Sequence, residues 1–220
     1  MGNGNPVRAT ARARLLLVCG ALMALVLLLT LLHLTYGRSA LSAAEMWRAL
    51  LGWGEDAGVR HILWQLRLPR VLVGLLAGAM LGLAGAILQI VLRNPLVEPG
   101  LIGVSAGSVL AIVLAMQHAP MLLGSGSRLA LLAMVGGIGT TLAIYALNGR
   151  KGNHGARLAL TGIVATSILQ ALTSLLLLRQ QQGLASILLW NFGSLNGRVW
   201  THWQSLWPWG VTLIALALLL

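Results

Sequence analysis

The chain has 220 residues, of which 58% are hydrophobic and only 9% charged, and its mean hydropathy is +0.86. A soluble domain carries roughly 25% charged residues because its surface faces water, so lipid is the solvent that fits this composition. Fifteen Lys and Arg against four Asp and Glu give a net charge of +11; the basic residues lie mostly between apolar runs, which points to anionic lipid headgroups and partner proteins, not nucleic acid, as counter-charges.

The first apolar run covers residues 15–32 and follows a basic start at Arg8, Arg12 and Arg14. It is longer than the roughly 7–15 residues of a signal-peptide core, and no small-x-small cleavage site follows, so it reads as a retained span. It contains Cys19, the only cysteine; no disulfide can form within the chain, and a small buried hydrophobe is the plain reading of that residue. Further apolar blocks follow at 71–92, 99–116, 129–147, 158–178 and from 207 to the last residue. About 20 residues of helix cross a bilayer core of roughly 30 Å. The fold class predicted is therefore an all-α polytopic bundle of about six transmembrane helices, the third short.

Residues 33–61 hold three of the four acids, Glu45, Glu55 and Asp56, together with Trp47 and Trp53. Residues 148–157 form a short basic turn, and 179–206 is a polar, tryptophan-rich stretch in which a short interfacial helix is expected near 184–190. The charge rule leaves orientation open. With the N-terminus inside, the inner side collects Arg8, Arg12, Arg14, Arg93, Arg150, Lys151 and Arg157. The outer side collects Arg38, Arg48, Arg60, Arg67, Arg70, Arg128, Arg179 and Arg198.

Gly74, Gly78 and Gly82 recur every four residues, with Gly85 continuing the face; Gly103 and Gly107 repeat the spacing in the third block, and Gly136 and Gly137 mark a close approach in the fourth. Small-xxx-small stripes let helix backbones meet in lipid, where no hydrophobic effect draws them together. They are not a nucleotide loop, because no strand precedes them and no Gly-Lys-Ser/Thr follows. Glu98 is the only acid near membrane depth; beside Pro99 and within reach of Arg93 it reads as an inner-face ion pair. The histidines, His33, His61, His118, His154 and His202, lack metal-ligand spacing, so no metal or cofactor is expected. No paired carboxylate, Ser/His or Cys/His arrangement stands in a span, which argues against an enzyme and leaves no catalytic residue to name.

The most specific signal is the ordered set within residues 64–107: Arg67-Leu-Pro-Arg70, the glycine stripe with Gly85 and Gln89, Asn94-Pro-Leu96, Glu98-Pro99 and Gly103-Val-Ser-Ala-Gly107. Leu160-Thr-Gly162, Trp190, Gly193-Ser-Leu195 and Trp200 follow in order. This set closely resembles the permease subunits of ABC importers for iron-siderophore complexes, haem and cobalamin, over nearly all of residues 60–207. The resemblance implies a ten-helix fold in the bacterial inner membrane, with both termini cytoplasmic and a homodimer with a second permease copy. Two cytoplasmic ATPase subunits and a periplasmic substrate-binding protein complete the assembly. It implies that Arg67 and Arg70 lie outside and form salt bridges with acids of the binding protein; headgroup anchoring is the alternative. It places Asn94 and Leu96 at a cytoplasmic gate, against a plain turn, and a second gate near His154 and Gly155, where this sequence departs from the small hydroxyl residues familiar there. Measured against such a permease, residues 1–220 read as one transmembrane domain holding the N-terminal two-thirds and lacking the ATPase-coupling segment. A transport subunit is the first reading and a non-transporting fragment or scaffold the second.

Overall fold

The computed structural model describes residues 6–37, 41–53, 56–95, 97–123, 126–149, 155–179 and 193–219, and among them every regular element is helical. The helices are α1 (Pro6–Thr35), α2 (Ala43–Leu50), α3 (Ala57–His61), a π-helical segment (Ile62–Arg67), α4 (Leu68–Leu92), α5 (Val104–His118), α6 (Gly126–Asn148), α7 (Gly155–Arg179) and α8 (Trp200–Leu219), with short 3-10 turns at Pro99–Ile102 and Pro120–Leu123. Each of the six predicted spans is a helix. Four stretches, Arg12–Thr35, Ala57–Leu92, Arg128–Asn148 and Arg157–Arg179, are long and apolar enough to cross a membrane. The third predicted span, α5, has 15 residues, about 22 Å of helix, and is short as expected. The helix anticipated near 184–190 lies outside the described residues. Along α1 the leucines stand open, Leu16 and Leu17 at 73% exposure. A continuous apolar surface of that kind is unstable in water and ordinary in lipid.

The chain forms two compact units, Met1–Val71 and Leu72–Leu220. In the first, the segment between the first two spans is built from capped helices. Ser42 and Glu45 make a reciprocal capping box on α2: the Glu45 amide donates to Ser42 Oγ at 3.2 Å and the Ser42 amide donates to Glu45 Oε2 at 2.8 Å. Hydrogen bonds from the Ser42 amide and hydroxyl hold the Glu45 carboxyl below the usual carboxylate range. The cap's contribution is therefore complete above the ordinary carboxylate pKa and fades as pH falls through the lowered one. Asp56 caps α3 by accepting from the Gly58 and Val59 amides at 2.8 and 3.2 Å. Trp64 Nε1 donates to the Ala49 carbonyl at 3.1 Å, and Leu34, Met46, Ala49 and Leu63 close a small core, with Leu63 wholly buried.

The second predicted span begins earlier than its apolar block. Helix is continuous from Ala57 to Leu92 and passes through Pro69 without a break. Proline lacks an amide hydrogen, and its ring collides with the carbonyl four residues back. Immediately before it the helix widens into the π-form over Ile62–Arg67, and the Leu68 amide reaches back to Leu63. A π-turn spreads the backbone where the proline ring must fit.

The core of the second unit is α5 packed against α6 and α7. Val113 and Leu177 are fully buried together, flanked by Val109 and Leu176. Polar cross-links join these helices: Ser108 Oγ donates to the Ala133 carbonyl at 2.7 Å and Gln117 Nε2 to Leu176 at 3.2 Å, and Thr166 Oγ1 of α7 donates to Gly100 in the 3-10 turn before α5 at 3.4 Å. Between α6 and α7, Thr161 Oγ1 donates to Asn148 Oδ1 at 3.1 Å. Each such bond contributes about 0.6 kcal/mol on average in a membrane bundle.

Candidate functional site

Arg67 ends the π-helical segment and Arg70 follows in the first turn of α4. The structure gives them different surroundings. Arg67 is buried, 7% exposed, and its Nη1 donates to the carbonyls of Leu34 at 2.5 Å and Thr35 at 2.9 Å. Those carbonyls are the last two of α1, and a helix leaves its final four without internal partners. Gly37 lies directly over the guanidinium: a Cβ added there would sit 2.8 Å from Arg67 Nη2 and 3.2 Å from Cζ. Arg70 is half-buried.

At the opposite end of α4 the chain reverses through a Schellman turn. The Arg93 amide donates to Ile90 at 3.3 Å and the Asn94 amide to Gln89 at 3.1 Å. Arg93 supplies the left-handed residue this turn needs, at φ 50°, where glycine is usual. Pro95 then prevents continuation of the helix. Gln89 Nε2 donates across the turn to the Val97 carbonyl at 3.4 Å, and Val97 is buried at 2% exposure. Asn94, named as a gate residue, is half-buried within this turn; Leu96 lies outside the described residues, as does His154 of the second gate, while Gly155 opens α7. Glu98, expected to pair with Arg93, makes no ion pair among the described residues. Its carboxylate folds back instead, with Oε1 3.4 Å from the position a Cβ on Gly100 would take.

The strain at Arg93 gives a direct test of the turn. A left-handed conformation costs an L-residue roughly 1–2 kcal/mol. Arg93→Gly is expected to raise the unfolding midpoint of the detergent-solubilised chain, and Arg93→Val to lower it, because a β-branched residue tolerates positive φ worst. Thermal unfolding followed by tryptophan fluorescence checks both signs.

The glycine stripes separate into used and unused contacts. Gly103 stands at φ 76°, with Ile144 and Thr140 both 2.9 Å from where its Cβ would be. A Cβ on Gly107 would meet Thr140 Oγ1 and lie 2.6 Å from the Gly136 carbonyl oxygen; one on Gly136 would lie 2.5 Å from the Gly107 oxygen. Gly137 faces Val104 and Ser108 at 3.1 Å or less. A Cβ on Gly74 would lie 3.1 Å from Leu195 and one on Gly85 would lie 3.9 Å from Pro99, while on Gly78 and Gly82 it would meet nothing within 4 Å among the described residues. Two close approaches were not singled out as packing glycines in the sequence. A Cβ on Gly162 would run into the Leu101 backbone, and one on Gly210 would lie 2.7 Å from the Leu76 side chain. The small residue was the available signal in both cases, but neither belongs to a repeating stripe.

Residues 25–220 match the family model described as the FecCD transport family. The ferric enterobactin transport system permease protein FepG of Escherichia coli is 37% identical over 189 residues, covering 85% of this chain and 56% of that protein. The vitamin B12 import system permease protein BtuC of Serratia proteamaculans is 34% identical over 173 residues, covering 76% and 49%. Among solved structures, a metal-chelate-type ABC transporter in an inward-facing conformation superposes with a TM-score of 0.61 at 30% identity, covering 83% of this chain and 55% of that one. The chain spans about half the length of the curated relatives it matches.

Proposed function

The chain belongs to the FecCD transport family, and from that membership we propose that it is the transmembrane permease subunit of a binding-protein-dependent ABC importer in the bacterial inner membrane, carrying an iron chelate such as a ferric siderophore, haem or cobalamin. The full-length permease pairs with a second copy. ATP is hydrolysed on separate cytoplasmic subunits, and a periplasmic substrate-binding protein delivers the cargo to the outer arginine corner at Arg67 and Arg70. The turn at Asn94 and Leu96 takes part in the cytoplasmic gate, with the connection at His154 and Gly155 as a second constriction.

One observation carries this reading. The motifs from Arg67 to Gly107 fall in a single order along α4, its Schellman turn and α5, and relatives 37% and 34% identical over 189 and 173 residues are named as permeases for ferric enterobactin and vitamin B12. Uptake of labelled ferric siderophore, haem and cobalamin should be compared between cells carrying and lacking the gene that encodes this chain. Loss of one of the three, restored by the gene in trans, is the expected result. Unchanged uptake of all three would leave a non-transporting membrane scaffold as the better reading.

A further inference from the structure

We propose that Arg67 and Arg70 do different work: Arg67 is a clasp that terminates the first span and fixes the outer connection, and Arg70 alone meets the acids of the binding protein. This rests on the docking reading above but divides it between two residues that the sequence presents as a pair.

The carbonyl accounting at the end of α1 carries the argument. Four acceptors there need partners from outside the helix. The Leu32 carbonyl accepts from the Tyr36 amide at 2.8 Å and from Thr35 Oγ1 at 3.1 Å. The Leu34 carbonyl accepts from Arg67, and the Thr35 carbonyl from both Arg67 and the Leu41 amide at 3.1 Å. One guanidinium thus holds the last two carbonyls of a helix from a point 32 or more residues further along the chain. It also places a full positive charge at the negative end of the helix dipole. Leu34 itself is 5% exposed in the core with Met46, Ala49 and Leu63, and the bond its carbonyl accepts from Arg67 is buried.

Gly37 closes the site. Its missing side chain leaves room for the guanidinium to lie against the backbone, and any Cβ would overlap Nη2. To reach an acid on a partner, Arg67 would have to vacate two carbonyls and push aside this roof. Arg70, three residues on and only half-buried, carries its charge at the same end of α4. Arg67 is accordingly a positioning residue: it holds the connection that follows α1 beside the face on which Arg70 acts.

The test uses the full-length permease with its ATPase, purified in nanodiscs, and its binding protein. Arg67→Lys keeps the charge but loses the planar fork. Gly37→Val keeps both arginines and fills the space the guanidinium occupies. Arg70→Gln removes one charge alone. Two quantities are read: hydrogen exchange at the Tyr36 and Leu41 amides, and binding-protein affinity at two salt concentrations. Arg67→Lys and Gly37→Val should each speed that exchange by about tenfold or more, because the opening is local, and weaken binding by a factor independent of salt. Arg70→Gln should leave the exchange unchanged and weaken binding most at low salt. If Arg67→Lys keeps wild-type exchange, or if Arg67→Gln weakens binding with the same salt dependence as Arg70→Gln, the clasp is wrong. Should Gly37→Val fail to fold, Arg67→Lys decides alone. If no variant, Arg70→Gln included, alters affinity, the docking reading fails, while the exchange data still decide the clasp.

Discussion

Arg70→Glu in the full-length permease is expected to abolish uptake, chiefly by weakening capture of the loaded binding protein. An exposed ion pair contributes only about 0–1 kcal/mol. Reversal does more than delete it, because a carboxylate then faces the partner's acids, and like charges across an interface cost several kcal/mol. In the homodimer proposed above the substitution enters twice. The loss should be largest at about 0.01 M salt, where the Debye length is about 30 Å, and should shrink towards 1 M, where it is about 3 Å. If Arg70 only anchored the helix in headgroups, reversal would give poor insertion and no change in salt dependence. Binding-protein affinity of the correctly inserted mutant, measured at low and high salt, separates the two. A mutant that inserts normally and binds as tightly as wild type at low salt would refute the docking role. Arg67→Glu is a different experiment: it sets a carboxylate against the Leu34 and Thr35 carbonyls, acceptor facing acceptor, and should fail at folding.

The apolar blocks announced the spans because lipid enforces one rule on every helix, a run of about 20 residues with few charges. The connection after the first span was harder. It holds no long apolar block to announce a helix, yet Ser42 and Glu45 already stood at capping-box spacing and Asp56 at a cap position. The early start of the second span was hidden by Pro69. The ordinary rule places a helix start at a proline, and only the π-helical widening before it lets the helix run through. Arg67 could be found as an arginine in a motif. Its partners could not, since Leu34 and Thr35 are bound through their carbonyls and any residue offers the same backbone. The turn after α4 was legible as a stop at Asn94-Pro95, but the strained residue is Arg93, which carries no turn signature.

Glycine spacing also had a limited meaning. It marks a face along which backbones can approach, without saying which neighbour comes to it, and the structure separates Gly107 from Gly78 on that point. Gly107→Ala is expected to destabilise the chain by about 2–3 kcal/mol and Gly107→Leu to prevent folding. The first added carbon meets Thr140 Oγ1 and the Gly136 carbonyl oxygen, and a backbone atom cannot swing aside as a side-chain tip can. Parting α5 from α6 to make room would also stretch the 2.7 Å bond from Ser108 to Ala133. Gly139→Ala on α6, with nothing within 4 Å among the described residues, should be neutral or favourable by up to about 1 kcal/mol through helix propensity. Gly78→Ala meets no obstacle among the described residues either. A large cost there would mark a contact with residues outside the described set or with a second copy. Unfolding midpoints for the four variants decide the matter. A Gly107→Ala midpoint equal to that of Gly139→Ala would show that α5 and α6 do not meet at Gly107.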